Sequence, residues 1–427
     1  MSIAATFLGG AKDRLLPASV PFRYFMAAVI FQILAWAALI LGADELAEFV
    51  GGTGYVLAAL HLLTLGVLVM TAMGASFQLL PVATRKPLQS VWPAQLAFWI
   101  FVPGVLLLAF GMLDGDAVFL HAGGAGVVGG LLIFAVLTAL NLRKPAGFQI
   151  VALHGWGALL ALVVVASLGL ALVIDFSTGF FENRQQIAMI HMVLAIFGFM
   201  GLLVFGFSQI LIPMFVLSRN LPLRASRIEV GLSFAAIIGA AVSLFYDSTA
   251  GLIAATGIGL AAAGMYLWLM RSAFQTRMRK RLGLSFVLIK ISWGMMILGL
   301  LIGLAVVVGA PVPNGMVLTV FVLLVGWLLT FLMGILQRIM PFLASMHASG
   351  RGGKPPLLSE LTAEGPLKVH AICHGVAFIL GFAGIVAGVE DVIRIAAGFG
   401  FIGALAFTVF AGLIVIKITG NRLPFFK

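Results

Sequence analysis

Long apolar runs alternate with short polar connections twelve times along the chain. A run of about 20 apolar residues is long enough to cross a hydrocarbon layer of about 30 Å as an α-helix. The runs fall near 22–42, 54–80, 92–112, 118–141, 149–174, 187–217, 228–246, 250–272, 284–309, 315–345, 367–388 and 394–417. The pattern predicts an all-α polytopic membrane protein of twelve transmembrane helices, folded as a single membrane domain over residues 1–427. The first run is too long for the core of a signal peptide and no small-residue cleavage site follows it, so it is expected to remain as a first span.

One spacing recurs within the runs. Gly66, Gly74 and Pro81, then Gly198, Gly206 and Pro213, then Gly326, Gly334 and Pro341 each read G-x7-G-x6-P, with a glutamine after the second glycine at Gln78, Gln209 and Gln337. With 51 glycines and 16 prolines in 427 residues, about 0.2 chance matches are expected. The marked spans are the second, sixth and tenth, so the chain reads as three consecutive pseudo-symmetric four-helix units, about 22–145, 146–275 and 283–417. The three marked helices run in the same direction, which fits rotation about an axis along the membrane normal rather than an inverted repeat. Glycines eight apart lie near one helix face and permit close helix approach. The proline ends or kinks each span.

Composition agrees with the pattern: 62% of residues are hydrophobic and 9% charged, with a mean hydropathy of +1.19. The net charge of +11 suggests nucleic acid until the charges are placed. With the N-terminus in the cytoplasm, 23 of the 25 basic residues fall at inward-facing ends and loops, and only Arg184 and Arg394 lie outside. This asymmetry orients both termini to the cytoplasm by the positive-inside rule. The run RSAFQTRMRKR at 271–281 then reads as a loop anchor for anionic headgroups, so the lipid bilayer is the expected partner and nucleic acid is not. Cys373 is the only cysteine, so neither an intrachain disulfide nor a thiolate metal cluster is possible. No Asp or Glu is expected in the middle of a span.

The histidines carry the candidate chemistry. His61, His121 and His191 stand near the outer ends of the second, fourth and sixth spans; His154, His370 and His374 fall in the inner halves of the fifth and eleventh. An ionisable group within a span is expensive unless it faces the interior and finds a partner, so it is a functional candidate. His61 and His191 point to a cofactor or metal, against the alternative of an imidazole bonded to a neighbouring carbonyl. His121, at the lip of its span, reads as an interfacial residue or a metal ligand. His370 and His374, four apart on one face, could reach one metal with His154 as a third ligand, or form an interfacial pair beside Lys368. His347 reads as a solvated loop residue. His61 precedes the first repeat glycine by five residues and His191 by seven, a difference of about 200° around equivalent helices that suggests separate interhelical pockets.

Three stretches, PFRYFMAAVIFQILAWAALILG in the first span, HLLTLGVLVMTAMGASFQLLP in the second and HMVLAIFGFMGLLVFGFSQILIP in the sixth, together with the twelve-span, three-unit topology, resemble the haem-copper oxidase subunit I-like superfamily. In size and pattern the chain is closest to NnrS-type haem-copper membrane proteins. The resemblance implies that His61 is an axial haem ligand and that His191 is a second ligand or belongs to a copper site. The tenth-helix H-x-H pair and the seventh-helix histidine pair of the oxidases have no counterpart in VLTVFVLLVGWLLTFLMG and SFAAIIGAAVSLF, so a complete oxygen-reducing binuclear centre is not expected. What the resemblance implies is a membrane protein holding haem b, with copper or another transition metal as a further cofactor. Its work would be redox or nitric-oxide-related, in the cytoplasmic (inner) membrane of a bacterium, beside a redox partner or companion subunit. The alternatives are a metal-ion or small-molecule transporter or channel with a histidine-lined pathway, and a cofactor-free oxidase-like assembly or partner subunit.

Overall fold

The computed structural model describes residues 14–349 and 356–419 except 89, 144 and 146; Lys12, Lys144, Arg351, Lys354, Arg422 and Lys427 lie outside the described residues. Helix accounts for 85% of the structure, and no strand occurs among the described residues. Among the described residues, twelve helices are long and apolar enough to cross a membrane: α1 Ser19–Leu41, α2 Tyr55–Thr84, α3 Trp92–Asp114, α4 Ala117–Leu142, α5 Gln149–Thr178, α6 Arg184–Val216, α7 Leu223–Phe245, α8 Thr249–Gln275, α9 Leu284–Val307, α10 Gly315–Ala348, α11 Glu364–Ala387 and α12 Glu390–Ile418. Each coincides with one predicted run, because in lipid a backbone must satisfy its polar groups within the segment and an apolar run of this length has no cheaper conformation.

The helices α2 and α10 are the most enclosed, with 67% and 78% of their apolar windows buried against 28% for α7 and α8. Of the remaining helices, α3 with α4, α7 with α8 and α11 with α12 make tight hairpins, and α12 packs along α1. The motif glycines are where neighbouring helices dock. An added Cβ at Gly66 would lie 2.5 Å from the Phe31 ring, at Gly74 2.6 Å from Tyr24 Cβ, at Gly198 2.8 Å from Ala161 Cβ and at Gly206 2.7 Å from His154 Cβ. At Gly334 it would meet Ser285 O and Ile289 Cγ1 at 2.9 Å. In these five cases the helix immediately preceding in the chain takes the space a side chain would fill; at Gly326 the nearest atom is instead Phe378 Cε2 of α11 at 2.7 Å, with Met295 Cβ of the preceding α9 at 3.1 Å. Without a hydrophobic drive between helices in lipid, such backbone approach supplies the van der Waals contact that holds them.

Each of the three enclosed helices also contains one π-helical segment: Leu62–Val69 in α2, Leu194–Gly201 in α6 and Val322–Leu329 in α10. Gly66, Gly198 and Gly326 are the fifth residue of each, so the segments share the spacing of the glycine–proline motif. The α10 segment touches the other two.

The prolines behave in two ways. After Pro81 and Pro213 the helix stops at a left-handed residue, Arg85 (φ 57°) and Leu217 (φ 58°), and the next amide returns to the proline carbonyl, Lys86 N–H and Ser218 N–H each at 3.0 Å. This is a Schellman-type stop. After Pro341 the helix instead continues to Ser349. His347 therefore lies in a helix, half-buried, with Nδ1 2.7 Å from Leu343 O and Nε2 2.9 Å from Leu16 O; the expected solvated loop position is wrong because the chain does not leave the bundle at the proline.

Candidate functional site: the buried imidazoles

His61 and His191 occupy the first quarter of α2 and α6, ahead of the π-helical segments. His61 Nδ1 lies 3.0 Å from Leu57 O, one turn back in its own helix. His191 Nδ1 lies 3.0 Å from Val165 O of α5, and its ring rests on Gly169, where a Cβ would stand 3.1 Å from Cε1. A carbonyl is an acceptor only, so each Nδ1 carries the proton and each Nε2 keeps its lone pair. Neither Nε2 has a hydrogen-bond partner among the described residues. A carbonyl bound at Nδ1 fixes the tautomer and ring orientation that a metal-ligating imidazole needs. In donor chemistry the residues present fit an imidazole-ligated group; the bond from each Nδ1 to a carbonyl is equally what the alternative of a carbonyl-bonded imidazole expects.

The remaining histidines divide into three places. His121 is exposed, with Nε2 3.3 Å from Ser177 Oγ, as an interfacial residue would be. His370 and His374 are buried on α11 with stacked rings 5.6 Å apart. His370 Nδ1 lies 3.0 Å from Gly403 O of α12 and His374 Nε2 lies 2.7 Å from Thr330 Oγ1 of α10; His370 Nε2 is buried without a partner.

His154 does not join them. It stands on α5 against α6 and α7, with Nδ1 2.9 Å from Ile150 O and Nε2 3.0 Å from Glu229 Oε2 of α7. The three-histidine inner cluster is therefore not formed, and no group of three or more His, Cys, Asp or Glu that could hold a metal occurs among the described residues.

Glu229 is a site residue the sequence reading passed over. Its carboxylate is fully buried, 0% exposed, on the seventh residue of α7, in the first third of the span. Gln209 Nε2 donates to Oε2 at 2.8 Å and Ser233 Oγ donates to Oε1 at 2.9 Å. With His154 Nδ1–H committed to Ile150, Nε2 and the carboxylate are two acceptors 3.0 Å apart, although off the ideal hydrogen-bond axis. Such a pair is tolerable in an apolar interior only with a proton between them, as an ion pair or as a neutral acid and imidazole. Gln209, one of the three motif glutamines, was the sequence signal for this site; Gln78 and Gln337 instead retain buried amide atoms without partners.

Beside this network lies a cavity of about 130 Å³ bounded by α6 to α10. Phe197, Phe205 and Trp327 form its aromatic wall and Ser233 its polar end.

Fold and site define a polytopic α-helical membrane protein that buries imidazoles together with the carboxylates of Glu229 and Asp175. Comparison with models of known families and with curated proteins finds no match to this chain.

Proposed function

We propose that the chain is a haem-binding integral membrane protein of the haem-copper oxidase-like superfamily, redox or nitric-oxide-related, without an oxygen-reducing binuclear centre. The observation that carries the reading is the pair His61 and His191: each has Nδ1 tied to a carbonyl and an Nε2 without a hydrogen-bond partner among the described residues. They would hold a b-type haem, whose iron takes imidazole readily and supplies one-electron chemistry or a diatomic-ligand site when bound. Copper has less support, since beyond this pair no set of side chains converges to complete its coordination. The common spacing of the π-helical segments and of the motif glycines favours three four-helix units and, with them, the superfamily assignment. The basic residues on connections after even-numbered spans favour cytoplasmic termini and a bacterial inner membrane. The two basic residues at the opposite end are each paired with acid, Arg184 to Asp175 at 2.6 Å and Arg394 to Asp391 at 3.2 Å.

Absorbance of the protein purified from haem-replete cells tests the proposal. A Soret band is expected, and it shifts or disappears in His61→Ala and in His191→Ala but persists in His121→Ala. A colourless preparation refutes it.

A second reading, a transporter coupled to a proton or ion, is favoured by the His154–Glu229 pair, which supplies an intramembrane carboxylate of the kind such proteins use.

A further inference from the structure

The cavity among α6 to α10 is separate from the proposed haem ligands, since neither His61 nor His191 lines it. It is nearly all apolar. Phe197 and Trp327 stack at 5.8 Å, and Phe205 lies against Tyr266 at 4.1 Å with the rings 5° from parallel, so the aromatic wall is braced from behind. Opposite it stand small residues, among them Ala236, Ala240 and Ala262. The outer wall includes Ala240, Leu252 and Thr256, which are half-buried.

At about 130 Å³ the space is close to the roughly 150 Å³ of an engineered apolar cavity that stays dry and binds benzene. Two hydroxyls depart from a purely apolar hole: Thr256 on the half-buried outer wall, whose proton goes to Leu252 O at 2.8 Å, and the buried Ser233. Ser233 faces the cavity, and its hydroxyl proton is already given to Glu229 Oε1 at 2.9 Å. The Ser233 oxygen therefore has lone pairs free to accept a hydrogen bond from whatever enters, and Glu229 is held in turn by Gln209 and His154. A hydroxyl donor is matched to that position; a carbonyl or ether oxygen is not, because it would bring lone pair against lone pair.

We propose that this cavity is a binding site for a neutral, lipid-soluble molecule of about one aromatic ring that carries a single hydroxyl group, with the ring on the Phe197–Phe205–Trp327 wall and the hydroxyl donating to Ser233. The site stands whether or not the chain binds haem.

The test uses full-length protein in detergent micelles and two fluorinated probes, 4-fluorophenol and fluorobenzene, followed by 19F NMR. Both are expected to bind the native protein saturably. Removing the acceptor in Ser233→Ala weakens 4-fluorophenol about five-fold, the equivalent of one hydrogen bond, and leaves fluorobenzene unchanged. Filling the outer wall in Ala240→Phe removes saturable binding of both, in protein whose helical circular dichroism is that of the native chain. Saturable binding by neither probe, binding untouched by Ala240→Phe, or equal weakening of both probes in Ser233→Ala overturns the proposal. Because Ser233→Ala removes one oxygen atom and adds no volume, its result stands even where Ala240→Phe fails to fold.

Discussion

Substitution of Glu229 tests whether the buried network is a satisfied unit. Glu229→Ala removes an acceptor that serves Gln209, Ser233 and His154 at once. Ser233 has an alternative, since a helical serine can turn to the carbonyl four residues back, which here is that of residue 229. Gln209 and His154 have none in an otherwise apolar setting. Two orphaned groups at about 1–3 kcal/mol each give a loss of about 2–6 kcal/mol, in line with the roughly 3–5 kcal/mol for breaking a buried pair from one side. Glu229→Gln behaves differently. Its amide oxygen still accepts from Ser233, its NH2 donates to His154 Nε2, and Gln209 need only turn its own amide to present an oxygen, so the loss is under about 1 kcal/mol. Reversible unfolding in mixed detergent–SDS micelles, followed by circular dichroism, measures the difference. Glu229→Ala within about 1 kcal/mol of the native protein, or Glu229→Gln as damaging as Glu229→Ala, refutes the reasoning.

Other outcomes follow from the same geometry. Gly206→Ala places a methyl 2.7 Å from His154 Cβ and costs about 1–3 kcal/mol through forced separation of α5 and α6, whereas Gly257→Ala, with nothing within 4 Å, is neutral or stabilising in the same unfolding assay. Thr330→Val keeps the shape but orphans His374 Nε2, now 2.7 Å from the hydroxyl; a loss of about 1–3 kcal/mol is expected. Asp175→Ala frees both Arg184 and the Phe181 amide, held at 2.6 and 2.7 Å, and is read as faster proteolysis at the α5–α6 connection.

The helices were legible because lipid leaves an apolar run of this length one conformation, and the ends were not. The stretch LRASR at 223–227 is polar enough to pass for a loop, yet it is helical from Leu223, which places Glu229 about two turns inside the helix rather than at its first residues. A cue was present in Gln209: a motif glutamine facing lipid-depth neighbours needs a partner, and the nearest uncommitted acid in sequence was Glu229. The glycine–proline spacing identified the enclosed helices, because close approach demands the absence of a side chain at definite positions. It carried nothing about π-helical winding, which changes the angle per residue without changing residue identity. The free Nε2 atoms of His61 and His191 were equally out of reach, since the carbonyls that fix them, Leu57 O and Val165 O, belong to residues whose side chains are irrelevant to the bond.

The π-helical segments have a mechanical meaning for how such a molecule changes over time. Each holds i to i+5 bonds over eight residues and so turns the helix beyond it back by about one residue, roughly 100°, relative to continuous α-winding. It acts as a clutch between two halves of one rod. Below it, glycine and proline keep the helix engaged with its neighbour; above it, the histidine-bearing turn can be rephased. Deleting a single residue within Leu62–Val69 would relax the segment to α-helix and swing His61 by about that angle while Gly74 and Pro81 stay seated. Such a deletion re-aims the imidazole at this depth at the cost of the Gly66 contact with Phe31, which lies within the segment, while the deeper glycine and the proline keep their places.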